Sequence, residues 1–391
     1  MNINRMVADF GNSLGQFMID GHYFEMPSSI AEITEKDFQG MFAHTVPAES
    51  LMNHLVLKIA IEEGHLYFMA GKKAQADLLG NAHIHSLHDK TQSQTVWVTW
   101  LAAIALYHAT KEPDMKEDTI SIEYFGTLLP VWLVKKGSSF KEKLSVMSER
   151  FLSEVSFELV TMGFQRKLHL KIEQAQCKVE GENARHALKF DLEGNPKEDA
   201  MRFKDAFVVM DDIGGQSQDL CKLQPDLRGA QSADDFVSST DQSYLAVLEK
   251  LRTDKLMDYF RDVRALEEFV LKHIATRKYL YLDPVKHAEH DLTDVIEPIL
   301  ADFAEVAMQK ALQSFHFQQG DLVYYVHIGG VNQALREYMM AFLGGYLGEA
   351  VAKKYHLFPE DSRKLNIYAC EIVAKNVLKR KVDVIKQKVD V

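Results

Sequence analysis

The chain has 391 residues, 47% hydrophobic and 26% charged, which is enough for two domains with separate cores and too apolar for a disordered chain. A net charge of −11 disfavours direct contact with a nucleic-acid backbone, and no run of about 20 apolar residues is present to span a membrane. Three scattered cysteines (Cys177, Cys221, Cys370) suit a reducing cytoplasm and exclude a disulfide framework or a cysteine-type metal site, and the N-terminus lacks the basic-then-apolar pattern of a secretory signal.

In chain order, residues 5–8 lead into a Gly-containing turn and residues 16–19 follow it, so a hairpin is predicted. Residues 30–90 carry few strong signals. Residues 95–108 show helical apolar spacing through Val96, Trp97, Trp100, Leu101 and Ile104. Residues 119–124 and 167–172 alternate as half-buried strands. The acidic stretch 180–199 is the best hinge candidate. Residues 206–210 form a continuous apolar run, as in a strand buried on both faces. Residues 239–273 read as charged and helical, and 294–315 as a long helix. Residues 322–328 are a third apolar strand ending in Gly329-Gly330, with a helix opening near Asn332. Strands followed by glycine turns and helices make an α/β protein.

Two segments share one pattern. In Ala8-Asp9-Phe10-Gly11-Asn12-Ser13 and in Met210-Asp211-Asp212-Ile213-Gly214-Gly215-Gln216-Ser217, an apolar run ends in Asp, one apolar residue follows, then glycine and small polar residues. Such a hairpin delivers a carboxylate to a turn with bare backbone N–H groups, and two facing each other clamp a polyphosphate and its Mg²⁺. Gly329-Gly330, opening a helix after a buried strand, adds a third turn suited to anionic groups. Asp211 reads as a neighbour that helps cap its turn. His83, His85 and His88 read as surface histidines, Trp97, Trp100 and Trp132 as core, and the basic stretch Lys375, Lys379, Arg380, Lys381, Lys386 and Lys388 as a solvated helix face.

Three such turns in this order resemble the actin-like ATPases, the superfamily of actin, chaperone ATPases and sugar kinases, and within it the plasmid-segregation actins of the ParM type. Asp9 to Ser13 resembles the first phosphate loop, Asp212 to Leu220 the second, and Gly329-Gly330, followed by Val331, the adenosine loop. Gly126-Thr127-Leu128-Leu129-Pro130 is similar to a Leu-Pro signature of that branch. Glu180-Gly181-Glu182-Asn183-Ala184 resembles its stretch with the hydrolytic glutamate, with Glu180 and Glu182 both open for that role. The resemblance implies duplicated ribonuclease H-like domains flanking a nucleotide cleft. It divides the chain into domain I (1–204, small subdomain 30–90), domain II (205–364, small subdomain 228–300) and a helix from 365 returning to domain I.

The resemblance further implies a cytoplasmic bacterial ATPase that polymerises into dynamic filaments to segregate plasmid DNA, with hydrolysis triggering disassembly; a non-polymerising small-molecule kinase of the same superfamily is the alternative. A DNA-binding adaptor at a centromere-like site would connect filament to cargo, with neither direct DNA binding nor membrane association. The nucleotide is ATP or GTP, since Val331 stands where a third glycine is usual. Gly11, Asn12, Ser13, Gly214, Gly215, Gln216, Ser217, Gly329, Gly330 and Val331 would contact the nucleotide. Asp9 and Asp212 would hold Mg²⁺ through its water shell, and Glu180 would activate the attacking water.

Overall fold

The apolar strand runs pair into two sheets of one design. The structure is a computed structural model describing residues 1–62, 64–77, 88–137 and 139–389, with side chains of the final helix described to 383; His83, His85 and the Lys386 and Lys388 side chains lie outside the described residues. In the first half, Asn2–Phe10, Leu14–Ile19 and His22–Pro27 form an antiparallel meander. Glu117–Leu129 runs parallel to Asn2–Phe10, and Ala175–Val179 runs parallel to the end of Glu117–Leu129. In the second half, Phe207–Ile213, Gln218–Leu223 and Phe236–Ser239 form the meander, Val323–Ile328 runs parallel to its first strand, and His356–Leu357 adds beyond.

The duplication extends to register. Asp9 pairs across its hairpin with Gln16 and Asp212 across its own with Asp219, at the same spacing. Each carboxylate therefore occupies the same position before its turn. The first sheet continues through Arg166–Ile172, Val155–Leu159, Val56–Ile61, Gly64–Ala70 and Ile30–Ile33, so residues 30–70 extend the main sheet.

The helix predicted over 95–108 spans Gln94–Lys111, capped by Ser93 Oγ accepting Val96 N–H. It is buried on nearly all sides, with Trp100 packed against Phe125 and Phe151. Trp97 and Trp132 also belong to this core or its margin. In the second half, helices Tyr244–Leu251, Val263–His273, Thr293–Gln313 and Gly330–Leu347 bury Leu248, Leu266, Leu300 and Leu335 in a second core. The stretch read as helical from 239 is broken by the π-turn Arg252–Leu256 and resumes at Val263, where Asp262 caps the new helix.

The hinge candidate 180–199 contains the short helix Arg185–Lys189 and an isolated bridge between Phe190 and Pro196. The final helix, Leu365–Val389, packs back on Asn2–Phe10 and Glu117–Leu129, where Arg5 Nε meets the buried Glu371 Oε1 at 2.6 Å. On its basic face Lys381 pairs with Glu123 and Lys375 donates to the Leu192 carbonyl. Among the described residues no helix is long and apolar enough to cross a membrane.

Candidate functional site

The two Asp-bearing hairpins face each other across one cleft. Its walls include Asp9, Gly11, Asn12 and Ser13 from the first turn, Asp212, Gly214, Gly215, Gln216 and Ser217 from the second, and Gly329 and Gly330 from the third. Glu180 lies between them. The turns need their glycines. A Cβ on Gly11 would lie 2.5 Å from the Leu14 carbonyl oxygen. Gly329 has φ 91°, and a Cβ there would lie 2.6 Å from both Asp212 Oδ1 and the Ile213 carbonyl oxygen. The second turn closes through Gly214 N–H donating to the Ser217 carbonyl at 3.0 Å.

Val331 does not line the cleft. It is one helical residue beyond Gly330, and its side chain packs with Leu335 into the second core. Asp211 also differs from the capping expectation. Successive strand residues point to opposite faces, so Asp211 turns away from the cleft and is fully buried. There it accepts Gln218 Nε2 at 2.8 Å and meets His327 Nδ1 at 2.7 Å. Glu182 bonds Arg185 Nε at 2.8 Å and is not part of the cleft wall, whereas Glu180 is.

Lys90, Asn366, Gln16 and Arg363 also line the cleft, and sequence reasoning missed them. Lys90 Nζ pairs with Glu180 Oε1 at 2.9 Å, with the lysine side chain only 4% exposed. Its loop is fixed by Arg150, which donates to the carbonyls of Lys90 at 2.8 Å and Ser93 at 2.7 Å. On the same loop Asp89 accepts from Thr91 and pairs with Lys143 of the helix Phe140–Arg150. The Asp89-to-Ser93 turn chemistry was legible locally, but the partner Glu180 lies far along the chain. Arg363, at the mouth, pairs with Glu25 at 2.9 Å.

The cleft is rich in buried negative charge. Burial, then repulsion from Glu180, pushes Asp9 up to about 7, against the pull of Lys90. Asp219, across the strand from Asp212, is also raised to about 7 by burial and Glu180, despite hydrogen bonds from Ser238 and Ser217. Asp212 is raised well above the ordinary carboxylate range by burial and Glu180, although Asn366 donates to it. Burial works to lower the Lys90 pKa, but Glu180 and Asp9 outweigh it and the ammonium is held protonated. Carboxylates so disfavoured as anions fit a site completed by a cation. Gln16 Oε1, a buried acceptor without a protein partner, points the same way.

The chain is 35% identical to the actin-like protein Alp7A over 99% of its own length and 100% of that crystal structure, with a TM-score of 0.90. It belongs to the Alp7A family of actin-like proteins. A model of the Alp7A C-terminal domain matches residues 207–362, the span holding the second hairpin and the third turn. The fold is also similar to a 15-stranded ParM filament from Clostridium botulinum (15% identity, 96% of this chain, 100% of that one, TM-score 0.65). It is similar as well to Bacillus thuringiensis ParM with ATP (15% identity, 97% of this chain, 100% of that one, TM-score 0.61). Comparison with curated protein sequences finds no match. The expected actin-like α/β fold and the ParM-like kinship both hold for this Alp7A-family chain.

Proposed function

We propose that this protein binds ATP with Mg²⁺ in the cleft, polymerises into polar filaments, and hydrolyses ATP to trigger their disassembly, moving plasmid DNA through a DNA-binding adaptor. The observation that carries the reading is the pairing of two register-matched hairpins around Glu180 and Lys90. The ATP-bound ParM and the ParM filament among similar folds support the nucleotide and polymer parts. The plasmid and adaptor parts rest on the family resemblance, and a bacterial cytoplasmic setting goes with them. GTP stays within the reading, because Val331 stands where a third glycine is usual.

Asp9 and Asp212 would hold Mg²⁺ through its water shell, and the ion would neutralise phosphate charge during phosphoryl transfer. Backbone N–H groups of the Gly11–Ser13 and Gly214–Ser217 turns orient phosphate oxygens, and Gly329-Gly330 lets the ligand approach the start of its helix. Lys90 supplies a buried positive charge toward the terminal phosphate. Glu180 accepts a hydrogen bond from the attacking water and aligns it. Water adds to the terminal phosphorus as the bridging bond breaks, giving ADP and phosphate. In this reading Glu182, tied to Arg185, takes no part. Different front and back surfaces on each protomer give heterologous contacts that extend instead of closing into rings.

Light scattering and pelleting after addition of ATP, with negative-stain imaging, test the reading. Filaments that form with ATP and Mg²⁺ and decay as phosphate is released are the expected result. A chain that turns over ATP but stays soluble at tens of micromolar would overturn the polymer reading.

A further inference from the structure

The segment entering the final helix bonds to both hairpins, the Gly329 turn and the Glu180 turn. Gly329 N–H donates to the Ser362 carbonyl at 3.3 Å, and Gln16 Nε2 donates to the Arg363 carbonyl at 3.1 Å. Asn366 joins the other two. Its Oδ1 accepts Gly181 N–H at 3.0 Å, and its Nδ2 donates to Asp212 Oδ2 at 2.8 Å. The partners fix the amide orientation, because a backbone N–H can only donate. Gly181 follows Glu180 directly and has φ 72°, and its N–H ties the Glu180 turn to Asn366.

The amide itself has little freedom. Asn366 is 8% exposed, and its neighbours Leu365 and Ile367 are buried in different clusters. The helix they begin packs along the first-half strands. A group carried on first-half structure thus reaches a second-half carboxylate, and separation of Asp212 from the Glu180 turn must break one of these two bonds.

We infer that Asn366 is a positioning residue for nucleotide hydrolysis, holding the Glu180 turn and the Asp212 carboxylate in fixed relation. The inference rests on the nucleotide reading above. The position requires one acceptor and one donor at the end of a short side chain. Asp there keeps the acceptor for Gly181 but turns a second carboxylate toward Asp212. Leu has similar shape and satisfies neither partner, leaving Gly181 N–H buried and unbonded and Asp212 free to rotate. Packing is nearly conserved in both, so their effect reports the hydrogen bonds.

The experiment measures equilibrium binding of a fluorescent N-methylanthraniloyl-ATP to the full chain, in EDTA and in Mg²⁺, for the unmutated protein, Asn366→Leu and Asn366→Asp, together with turnover. Partners that orient metal-facing groups typically change metal affinity by about 10–100-fold. The ratio of Kd in EDTA to Kd in Mg²⁺ is therefore expected to fall by about that factor in both variants, with Kd in EDTA within twofold of the unmutated value. Saturated turnover is expected to fall by about 100-fold. Circular dichroism checks the fold, and should Asn366→Leu not fold, Asn366→Asp carries the same readout. A ratio unchanged within twofold, or an equal loss of affinity with and without Mg²⁺, overturns the inference. An unmutated chain that binds no nucleotide overturns the nucleotide reading itself and the inference with it.

Discussion

Asp9→Asn changes how stability depends on pH in the nucleotide-free chain. Asp9 is raised from 3.8 to about 7 by burial and by Glu180, with Lys90 opposing. The folded chain thus holds a proton that the unfolded chain has released between these values. Stability from that proton is fully present below about pH 3.8, is lost progressively as pH rises toward 7, and is gone above about pH 7. From pH 5 to pH 7 the loss is on the order of 2–3 kcal/mol, at 1.36 kcal/mol for each unit. His186 and His356, lowered to about 4 and about 3, add an opposite slope below their ordinary value of 6.5. The difference between the unmutated chain and Asp9→Asn cancels that slope. Urea denaturation followed by circular dichroism, in EDTA at fixed ionic strength from pH 5 to pH 8, gives the difference directly. The unmutated chain should lose on the order of 2–3 kcal/mol relative to Asp9→Asn over this range. A difference that is flat, or that grows in favour of the unmutated chain as pH rises, refutes the charge crowding described for the cleft.

Lys90→Met removes a buried cation from beside Glu180, and weakening of ATP binding by at least about tenfold is expected from loss of a buried charge contact; equal ATP affinity by calorimetry would remove Lys90 from the phosphate site. Gly329→Ala forces φ 91° on a residue with a Cβ and drives that Cβ toward Asp212, so a loss of about 2–4 kcal/mol in unfolding free energy is expected from strain and overpacking. An unchanged denaturation midpoint would contradict the close approach. Glu180→Gln keeps the size of the side chain but weakens water activation, and a fall of about 100-fold or more in phosphate release with assembly retained is expected. Filaments of that variant that disassemble at the normal rate would exclude Glu180 as the hydrolytic residue.

Local rules carried much of the reading. The strand-Asp-turn pattern was legible twice because a hairpin is closed by neighbouring residues, and the structure gives both copies the same register. The helix over 95–108 showed its apolar residues in the sequence, and the structure adds its Ser93 cap. Asp211 was misread because its role depends on which face of a buried strand it occupies, and His327 comes from another strand. Val331 sits in the first turn of the Gly330–Leu347 helix with its side chain in the second core, a placement the glycine-turn motif did not reveal.

The sequence by itself determined the α/β class, the two carboxylate-bearing hairpins and the glycine turn, since each is written in a few consecutive residues. Tertiary structure alone decided what completes the cleft. Lys90 meets Glu180 across 90 residues, and Asn366 reaches Gly181 and Asp212 across 185 and 154. No spacing rule links positions so distant; only the packing of the final helix and the Lys90 loop onto the first sheet brings them within hydrogen-bond reach.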